Sequence, residues 1–127
     1  MELRVNSQTV YAYTGGKAFR ADQPTVVFVH GVLNDHSVWI LQSRYLANHG
    51  WNVLAIDLPG HMRSTGPCPT GVEQAADWVA AVLDAAGLEQ AAVVGHSWGS
   101  LIALETAARH PKRVSHLVMV GTAFPMK

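Results

Sequence analysis

The stretch VVGHSWGS, residues 93–100, places a serine between two glycines that lie two positions before and after it. It follows an apolar, strand-like run and precedes an alanine- and leucine-rich, helix-like run. The G-x-S-x-G pattern alone is short enough to occur by chance. Between a strand and a helix it is specific, because a sharp turn there exposes the serine oxygen. Gly95 and Gly99 leave room for that turn. The stretch therefore predicts that Ser97 is a nucleophile in a strained backbone conformation.

The rest of the chain alternates patterns typical of strands and of helices. Continuous β-branched runs bounded by turn residues indicate strands that are buried on both faces. Their order predicts a mostly parallel sheet with right-handed crossovers and flanking helices, in one α/β domain over residues 1–127. An antiparallel hairpin about Asn6 and Ser7 is predicted before it. The strand patterns cover residues 24–31, 51–57, 91–97 and 114–121, and the helix patterns cover residues 35–50, 70–87 and 99–111.

Capping residues and apolar stripes define the predicted helices. Asp35 or Ser37 can cap the first helix, and Thr70 with Glu73 makes a capping box at the second. The third helix ends before Pro111. Apolar residues at helical spacing predict the buried faces, which are Val38, Leu41, Tyr45 and Leu46 in the first helix and Val72, Ala75, Val79, Val82 and Ala86 in the second.

The carboxyl ends of the parallel strands meet at one edge of the sheet, where the active sites of such folds lie. A tetrahedral oxyanion at Ser97 needs two hydrogen-bond donors there. The backbone N–H of Trp98 is predicted to supply one. The other is assigned to the backbone N–H of Val32, in the loop after the first buried strand. We expect Gly31, Val32 and Trp98 to contact the substrate as well.

Three motifs resemble those of the α/β-hydrolase family, in the family's order. FVHGVLNDHSVW (28–39) resembles its oxyanion loop, AIDLPGHMRS (55–64) its D-x-P-G-H-G-x-S segment, and VVGHSWGS its nucleophile elbow. The resemblance covers essentially the whole chain and identifies it with the N-terminal half of such a domain. It implies an eight-stranded sheet, no cofactor, and acyl transfer to water through a serine ester. It also implies that His30 and His96 shape the site rather than act as the base. Met62 departs from the pattern, since relatives usually carry glycine there.

A base for Ser97 is not evident further along the chain. The family order is serine, then an acid, then histidine, and only Glu105, His110 and His116 follow Ser97 as candidates. A helical rise of 1.5 Å per residue separates Glu105 from Ser97 by ~12 Å and His110 by ~20 Å. His116 begins the last strand, ~20 Å from its carboxyl end. All of these distances exceed the hydrogen-bond reach of ~3 Å that a base needs.

Four titratable residues at the correct edge of the sheet precede Ser97, namely Asp35, His36, Asp57 and His61. A substitute dyad of one aspartate and one histidine from this set is one alternative. Helix capping explains the first two better, and local backbone bonding explains the last two better. We therefore expect the acid and the base beyond Lys127, and the isolated chain to be inactive. The last strand would then be an unprotected apolar edge, to be covered by the missing half or by a second copy.

Composition excludes several functional classes. The chain has 127 residues, is 49% hydrophobic and has a formal net charge of zero. This balance argues against nucleic acid or an anionic membrane surface as a partner. Cys68 is the only cysteine, so no internal disulfide or cysteine metal site is expected. The first strand–helix turn lacks a dinucleotide motif and the sequence contains no P-loop, so dinucleotide binding is set aside. Without a secretory signal or an apolar membrane-spanning run, the sequence predicts a cytoplasmic protein.

These patterns predict a serine hydrolase that acts on a small ester or a related acyl compound through Ser97. One alternative keeps the fold with another reaction, such as that of a carbon–carbon hydrolase, a perhydrolase or a lyase. A second alternative is a non-catalytic protein in which Ser97 orients a ligand. The pocket can be lined by Val32, Trp39, Trp98 and Phe124, although each fits a core position at least as well, and Trp39 in particular.

Overall fold

One mixed sheet with helices on both faces forms the core of the protein. The computed structural model describes residues 1–20, 22–31, 34–66, 69 and 71–121. The strands are β1 (Glu2–Val5), β2 (Gln8–Tyr13), β3 (Thr25–Val29), β4 (Asn52–Ile56), β5 (Ala91–His96) and β6 (Val114–Val120). A 3₁₀ turn at His36–Trp39 leads into α1 (Ile40–Ala47), followed by α2 (Val72–Ala85) and α3 (Trp98–Arg109). The strand order is β1-β2-β4-β3-β5-β6, which confirms the predicted α/β architecture.

The N-terminal hairpin forms as predicted. β1 and β2 pair antiparallel, and the connecting residues Asn6 and Ser7 have φ angles of 51° and 66°. Positive φ at both central residues is typical of the two-residue turns that match strand twist. β2 then pairs antiparallel with β4 through Ala12 and Ile56. β4, β3, β5 and β6 run parallel to one another.

The central strands are buried because each of their faces carries a layer of helix. Every residue of β3 and β4 is buried, as their continuous apolar runs predict. On one face, α2 and α3 pack against Val27, Val29 and Val93. On the other face, Trp39 and Ala47 pack against Val26, Phe28 and Val53. The confirmed stripe of α2 belongs to the first layer, with Ala75, Val79 and Val82 fully buried and Val72 and Ala86 partly buried.

The predicted buried face of α1 is wrong. Val38, Leu41 and Tyr45 are 43%, 74% and 62% exposed. Of the predicted stripe, only Leu46 contacts the core. The buried positions are instead Trp39, Ser43 and Ala47. The helix approaches the rest of the protein through small side chains, since a Cβ on Gly15 would lie 2.6 Å from that of Ala47. A search for large apolar residues at helical spacing does not detect such a face.

The predicted capping box at α2 is also wrong. The N-cap residue is Gly71 in an extended conformation, so the helix begins one residue later than predicted and Glu73 is its second residue. Thr70 lies outside the described residues. The predicted cap of the first helix is confirmed, because the Asp35 carboxylate accepts a hydrogen bond of 2.8 Å from the Ser37 N–H.

Among the described strands, β6 is the outermost neighbour of β5. Val118 and Val120 on this strand are 46% and 42% exposed. The predicted apolar edge is therefore present in the described part of the fold. In that part of the chain, no helix has both the length and the apolar composition needed to cross a membrane.

Candidate active site

Ser97 lies at the turn from β5 into α3 with φ 57° and ψ −123°. A positive φ at a residue other than glycine is strained and is common at functional sites. Its main chain is held on both sides. The Ser97 N–H donates to the Val120 carbonyl at 3.1 Å, and the Ser97 carbonyl accepts from the Ser100 N–H at 3.0 Å. Serine often caps a helix with its hydroxyl, but within the described residues the Ser97 side chain makes no capping bond.

The two glycines of the elbow are required by packing, as predicted. A Cβ on Gly95 would overlap the Gly99 carbonyl oxygen and lie 2.6 Å from the Cα of Ser100. A Cβ on Gly99 would overlap the Val29 carbonyl oxygen and lie 2.5 Å from that of His30. Backbone atoms cannot move aside as a flexible side chain can. The small residues therefore let α3 start directly against the end of β3.

The predicted oxyanion donors are only partly within the described structure. Trp98 is the first residue of α3, where backbone N–H groups lack partners in the helix and carry a partial positive charge. Gly31 lies beside Ser97, since a Cβ there would be 3.2 Å from the Ser97 Cβ. Val32 and Phe124 lie outside the described residues, so their predicted roles stay predictions.

His30 is fully buried and uses both ring nitrogens in hydrogen bonds. The Leu58 N–H donates to Nε2 at 3.0 Å, so the proton must sit on Nδ1, which donates to the Gly31 carbonyl at 2.6 Å. Burial lowers the pKa of His30, and this outweighs the opposing effects of the Gly31 bond and of Asp57. A neutral imidazole with both nitrogens engaged cannot act as the base. The role in site shape that the resemblance implies is therefore supported.

His36 and Asp57 form a pair that the sequence prediction set aside. The Asp57 side chain is fully buried. Its Oδ1 accepts from the His36 N–H at 2.8 Å and from His36 Nδ1 at 2.9 Å. Its Oδ2 accepts from the Arg63 N–H at 3.2 Å, in line with the predicted local bonding. A histidine soon after one strand and an aspartate directly after its neighbour was the signal that could have identified this pair.

The His36–Asp57 pair lies too far from Ser97 to act as its base. The ring of His36 lies 5.0 Å from that of Tyr11 and 5.9 Å from that of Tyr13, both on β2. The ends of β4 and β5 are separated by β3, which at ~4.8 Å per strand spacing puts them ~10 Å apart. His36 lies on the far side of β4 from Ser97, beyond the reach of a hydrogen bond.

The remaining candidate bases have other contacts. His61 lies 3.1 Å through Nδ1 from the Pro59 carbonyl and packs its ring 5.1 Å from that of His30. His110 approaches Asp77 at 2.9 Å, just beyond the far end of α3. Glu105 lies 4.0 Å from Arg109 on the same helix, and His116 is exposed on β6. The helix bounds thus keep Glu105 and His110 away from Ser97, as the sequence predicts.

Asp35, His36 and Asp57 bring their ligand atoms within 4.8 Å of one another. Among the described residues, this is the group close enough to hold a metal ion. Its members are already bonded internally, because His36 Nδ1 contacts Asp57 and Asp35 caps the 3₁₀ turn. These bonds explain the cluster as a loop anchor. Cys68 lies outside the described residues.

Trp39 occupies the core, as one of its two predicted roles requires. It is 5% exposed, stacks on Phe28 with ring centroids 4.8 Å apart, and meets the ring of His96 edge-on at 6.2 Å. The ring of His96, the residue before Ser97, thus packs against the ring of Trp39. A cavity of about 490 Å³ beside α1 and another of about 400 Å³ between the hairpin and α2 are not lined by Ser97.

Comparison with known proteins identifies the family. A family model for the alpha/beta hydrolase fold matches residues 24–127. The chain therefore belongs to the α/β-hydrolase fold family, in agreement with the strand order and the elbow. The resemblance that the three sequence motifs carry is confirmed.

Two of the relatives are hydrolases of different kinds. The chain is 40% identical over 98 residues to the pimeloyl-[acyl-carrier protein] methyl ester esterase of Neisseria meningitidis, covering 76% of this chain and 36% of the esterase. It is 36% identical over 104 residues to epoxide hydrolase B of Mycobacterium tuberculosis, covering 80% of this chain and 29% of that enzyme. The chain thus spans about a third of the length of these relatives.

A solved structure of a membrane phospholipase A, a bacterial virulence factor, superposes with a TM-score of 0.89 at 30% sequence identity. The superposition covers 99% of this chain and 40% of the phospholipase. Nearly the whole chain therefore corresponds to part of a larger hydrolase fold.

Proposed function

We propose that Ser97 is the nucleophile of a serine hydrolase that acts on a small ester or a related acyl compound. One observation carries the proposal. A serine is held at positive φ at the start of a helix, with both of its main-chain groups hydrogen bonded. Strain of this kind costs about 1–3 kcal/mol, and it serves to present a side chain at the carboxyl edge of the sheet.

The proposed reaction has two stages. Ser97 Oγ attacks the acyl carbon and gives its proton to a base, and the oxyanion that forms is held by the N–H groups of Trp98 and Val32. The intermediate collapses, the leaving alcohol takes the proton, and an ester with Ser97 remains. Water then attacks this ester with the same base removing its proton. The free acid leaves and Ser97 regains its hydrogen.

We place the base and its acid partner in sequence beyond residue 127. His30 is excluded by its two hydrogen bonds, and His36 lies on the wrong side of β4. These relatives are about three times as long as this chain, so they contain further sequence in which an acid and a base can lie. In the family order, the acid and then the histidine follow the nucleophile.

The relatives support ester chemistry without restricting the choice to it. The esterase and the phospholipase structure favour an acyl substrate. The epoxide hydrolase supports a second candidate, the same fold with different chemistry. A purely ligand-binding role is less well supported, because orienting a ligand with a hydroxyl does not require a strained backbone.

A fluorophosphonate probe tests the proposal in the full-length protein. The probe phosphonylates activated serines, so Ser97 is expected to be labelled stably. Labelling should disappear in the Ser97→Ala variant and persist in Ser115→Ala, which changes an exposed serine on β6. Mass spectrometry of the labelled peptide identifies the site. A full-length protein that stays unlabelled, or that is labelled elsewhere, contradicts a nucleophilic Ser97.

The isolated 127-residue chain is expected to be inactive and to self-associate. It lacks the proposed base, and Val118 and Val120 expose apolar surface on β6, the outermost strand beside β5 in the described sheet. We propose that sequence from the rest of the protein, or otherwise a second copy, pairs with this edge. Hydrolysis of p-nitrophenyl acetate should not exceed that of the Ser97→Ala chain, and light scattering should report a mass above that of the monomer. Robust turnover, or a stable monomer, would count against this reading.

A further inference from the structure

The loop that follows β3 is fastened to a single segment at both of its ends. At its start, His30 Nε2 accepts from the Leu58 N–H at 3.0 Å. At its end, the main chain and the ring of His36 both donate to the buried Asp57 carboxylate, at 2.8 and 2.9 Å. Asp57 and Leu58 are adjacent and follow β4 directly. We refer to these four residues as the double anchor.

Gly31, at the start of this loop, also lies beside Ser97. A Cβ on Gly31 would lie 3.2 Å from the Ser97 Cβ and 3.5 Å from the Asn34 side-chain amide nitrogen. Residues 32 and 33, between these positions, lie outside the described residues. Movement of either end of the loop would therefore change what stands opposite Ser97. A misplacement of about 1 Å at a reacting centre can slow a reaction about 100-fold.

We propose that His30, His36 and Asp57 are positioning residues for the reaction at Ser97, holding the loop after β3 in its productive place without touching the substrate. This inference rests on the proposed serine hydrolase function. The two histidines hold the loop with opposite requirements for protons. His30 must keep Nε2 unprotonated to accept a hydrogen bond from the Leu58 N–H, whereas His36 needs a proton on Nδ1 to donate to Asp57. A neutral ring can meet either requirement, but an imidazolium meets only that of His36.

Acid should therefore release the His30 end of the loop first. Burial holds the pKa of His30 below its ordinary value of 6.5, helped by neighbouring His61 and opposed by the Gly31 carbonyl, Asp57 and Asp35. Because the folded pKa is lowered, the stabilisation from His30 is complete above pH 6.5 and is lost as the pH falls through the folded pKa. The groups that face His36 are Asp57, Asp35 and the rings of Tyr11 and Tyr13. The carboxylates are compatible with a charged imidazole.

Three variants of the full-length protein test the anchor at His36. His36→Leu removes the ring donor to Asp57 and leaves the main-chain donor, whereas His36→Asn keeps a side-chain N–H near the position of Nδ1. His49→Asn is the matched control, because His49 is exposed and lies just past the end of α1. The rate of Ser97 labelling by a fluorophosphonate, per folded molecule, should fall about tenfold to 100-fold in His36→Leu. It should return to within about threefold of wild type in His36→Asn, and kcat should fall more than KM rises.

The same assay with His30→Gln tests the proton requirement. A glutamine carbonyl can accept from the Leu58 N–H but does not titrate as the pH is lowered from above 6.5, the ordinary pKa of histidine, to the onset of acid unfolding. The labelling rate of His30→Gln should therefore fall less over that range than the rate of the wild type. Equal falls in the two proteins would overturn the role assigned to His30.

The outcomes at His36 separate this inference from the proposed function. Labelling that survives Ser97→Ala refutes the nucleophile itself. Labelling that depends on Ser97 but is equally fast in His36→Leu and wild type refutes the anchor alone. A His36→Asn variant as slow as His36→Leu, with a Tm equal to that of wild type, also refutes it, because the donor would then not matter.

Discussion

Replacing Ser97 with alanine in the full-length protein should lower kcat by at least about 10⁴-fold, with little change in KM. The substitution removes the only atom proposed to bond to the acyl carbon. The elbow should otherwise survive, because its hydrogen bonds to Val120 and Ser100 come from main-chain atoms of Ser97. Alanine at φ 57° is strained much as serine is. The loss should therefore appear in the chemical step rather than in folding.

Steady-state hydrolysis of an activated ester measures this effect, with circular dichroism to establish that the variant is folded. Ser115→Ala provides the control for the loss of a hydroxyl, since Ser115 is exposed on β6. A Ser97→Ala enzyme that retains more than about a tenth of the wild-type kcat would mean that another group carries the reaction. The same enzyme should bind an unreactive substrate analogue as tightly as the wild type does.

Replacing Gly99 with alanine should destabilise the protein by about 3 kcal/mol, at the upper end of the usual range for overpacking. The new methyl group would overlap the Val29 carbonyl oxygen and crowd that of His30. Both oxygens belong to the end of β3, which is buried between β4 and β5. Relief therefore requires α3 to move away from the sheet, and Ser97 would move with it. Urea denaturation of the full-length protein measures the free energy of unfolding.

Gly71→Ala is the matched control for this change. Among the described residues, a Cβ on Gly71 would meet only the Glu73 carboxylate, at 3.4 Å, which is the end of a flexible side chain. Its φ of −163° is ordinary extended backbone. Loss of a glycine N-cap to alanine should cost about 1 kcal/mol or less. Equal stabilities for the two variants would show that the contact between α3 and β3 is looser than described.

The sheet and the elbow could be predicted because local patterns encode them. The four parallel strands appear in the sequence as continuous apolar runs. Such runs predict strands that are covered by helices on both faces, as β3 and β4 are. Gly95 and Gly99 indicate close backbone approach from sequence alone, and both are needed for that reason. These features depend on neighbours in the chain or on the general rules of parallel sheets.

The features that were missed depend on partners distant in sequence. α1 packs through Ser43 and Ala47 because Gly15 lies opposite, and a hydrophobicity pattern contains no sign of that contact. The start of α2 at Gly71 depends on the path of the loop before it. His36 and Asp57 are 21 residues apart. Their pairing is set by how two loops meet above the sheet rather than by either segment.

The main-chain hydrogen bond from Ser97 to Val120 ties Ser97 to the end of β6. Val120 is 42% exposed and is the last residue of that strand, where fraying begins most easily. Fraying of this strand end would break the hydrogen bond of the Ser97 N–H, and the turn that orients the Ser97 side chain would become more flexible. A strand that paired with the outer side of β6 would reduce this fraying and so restrict the motion of the turn at Ser97. Assembly of the full sheet and readiness for chemistry would then be mechanically linked.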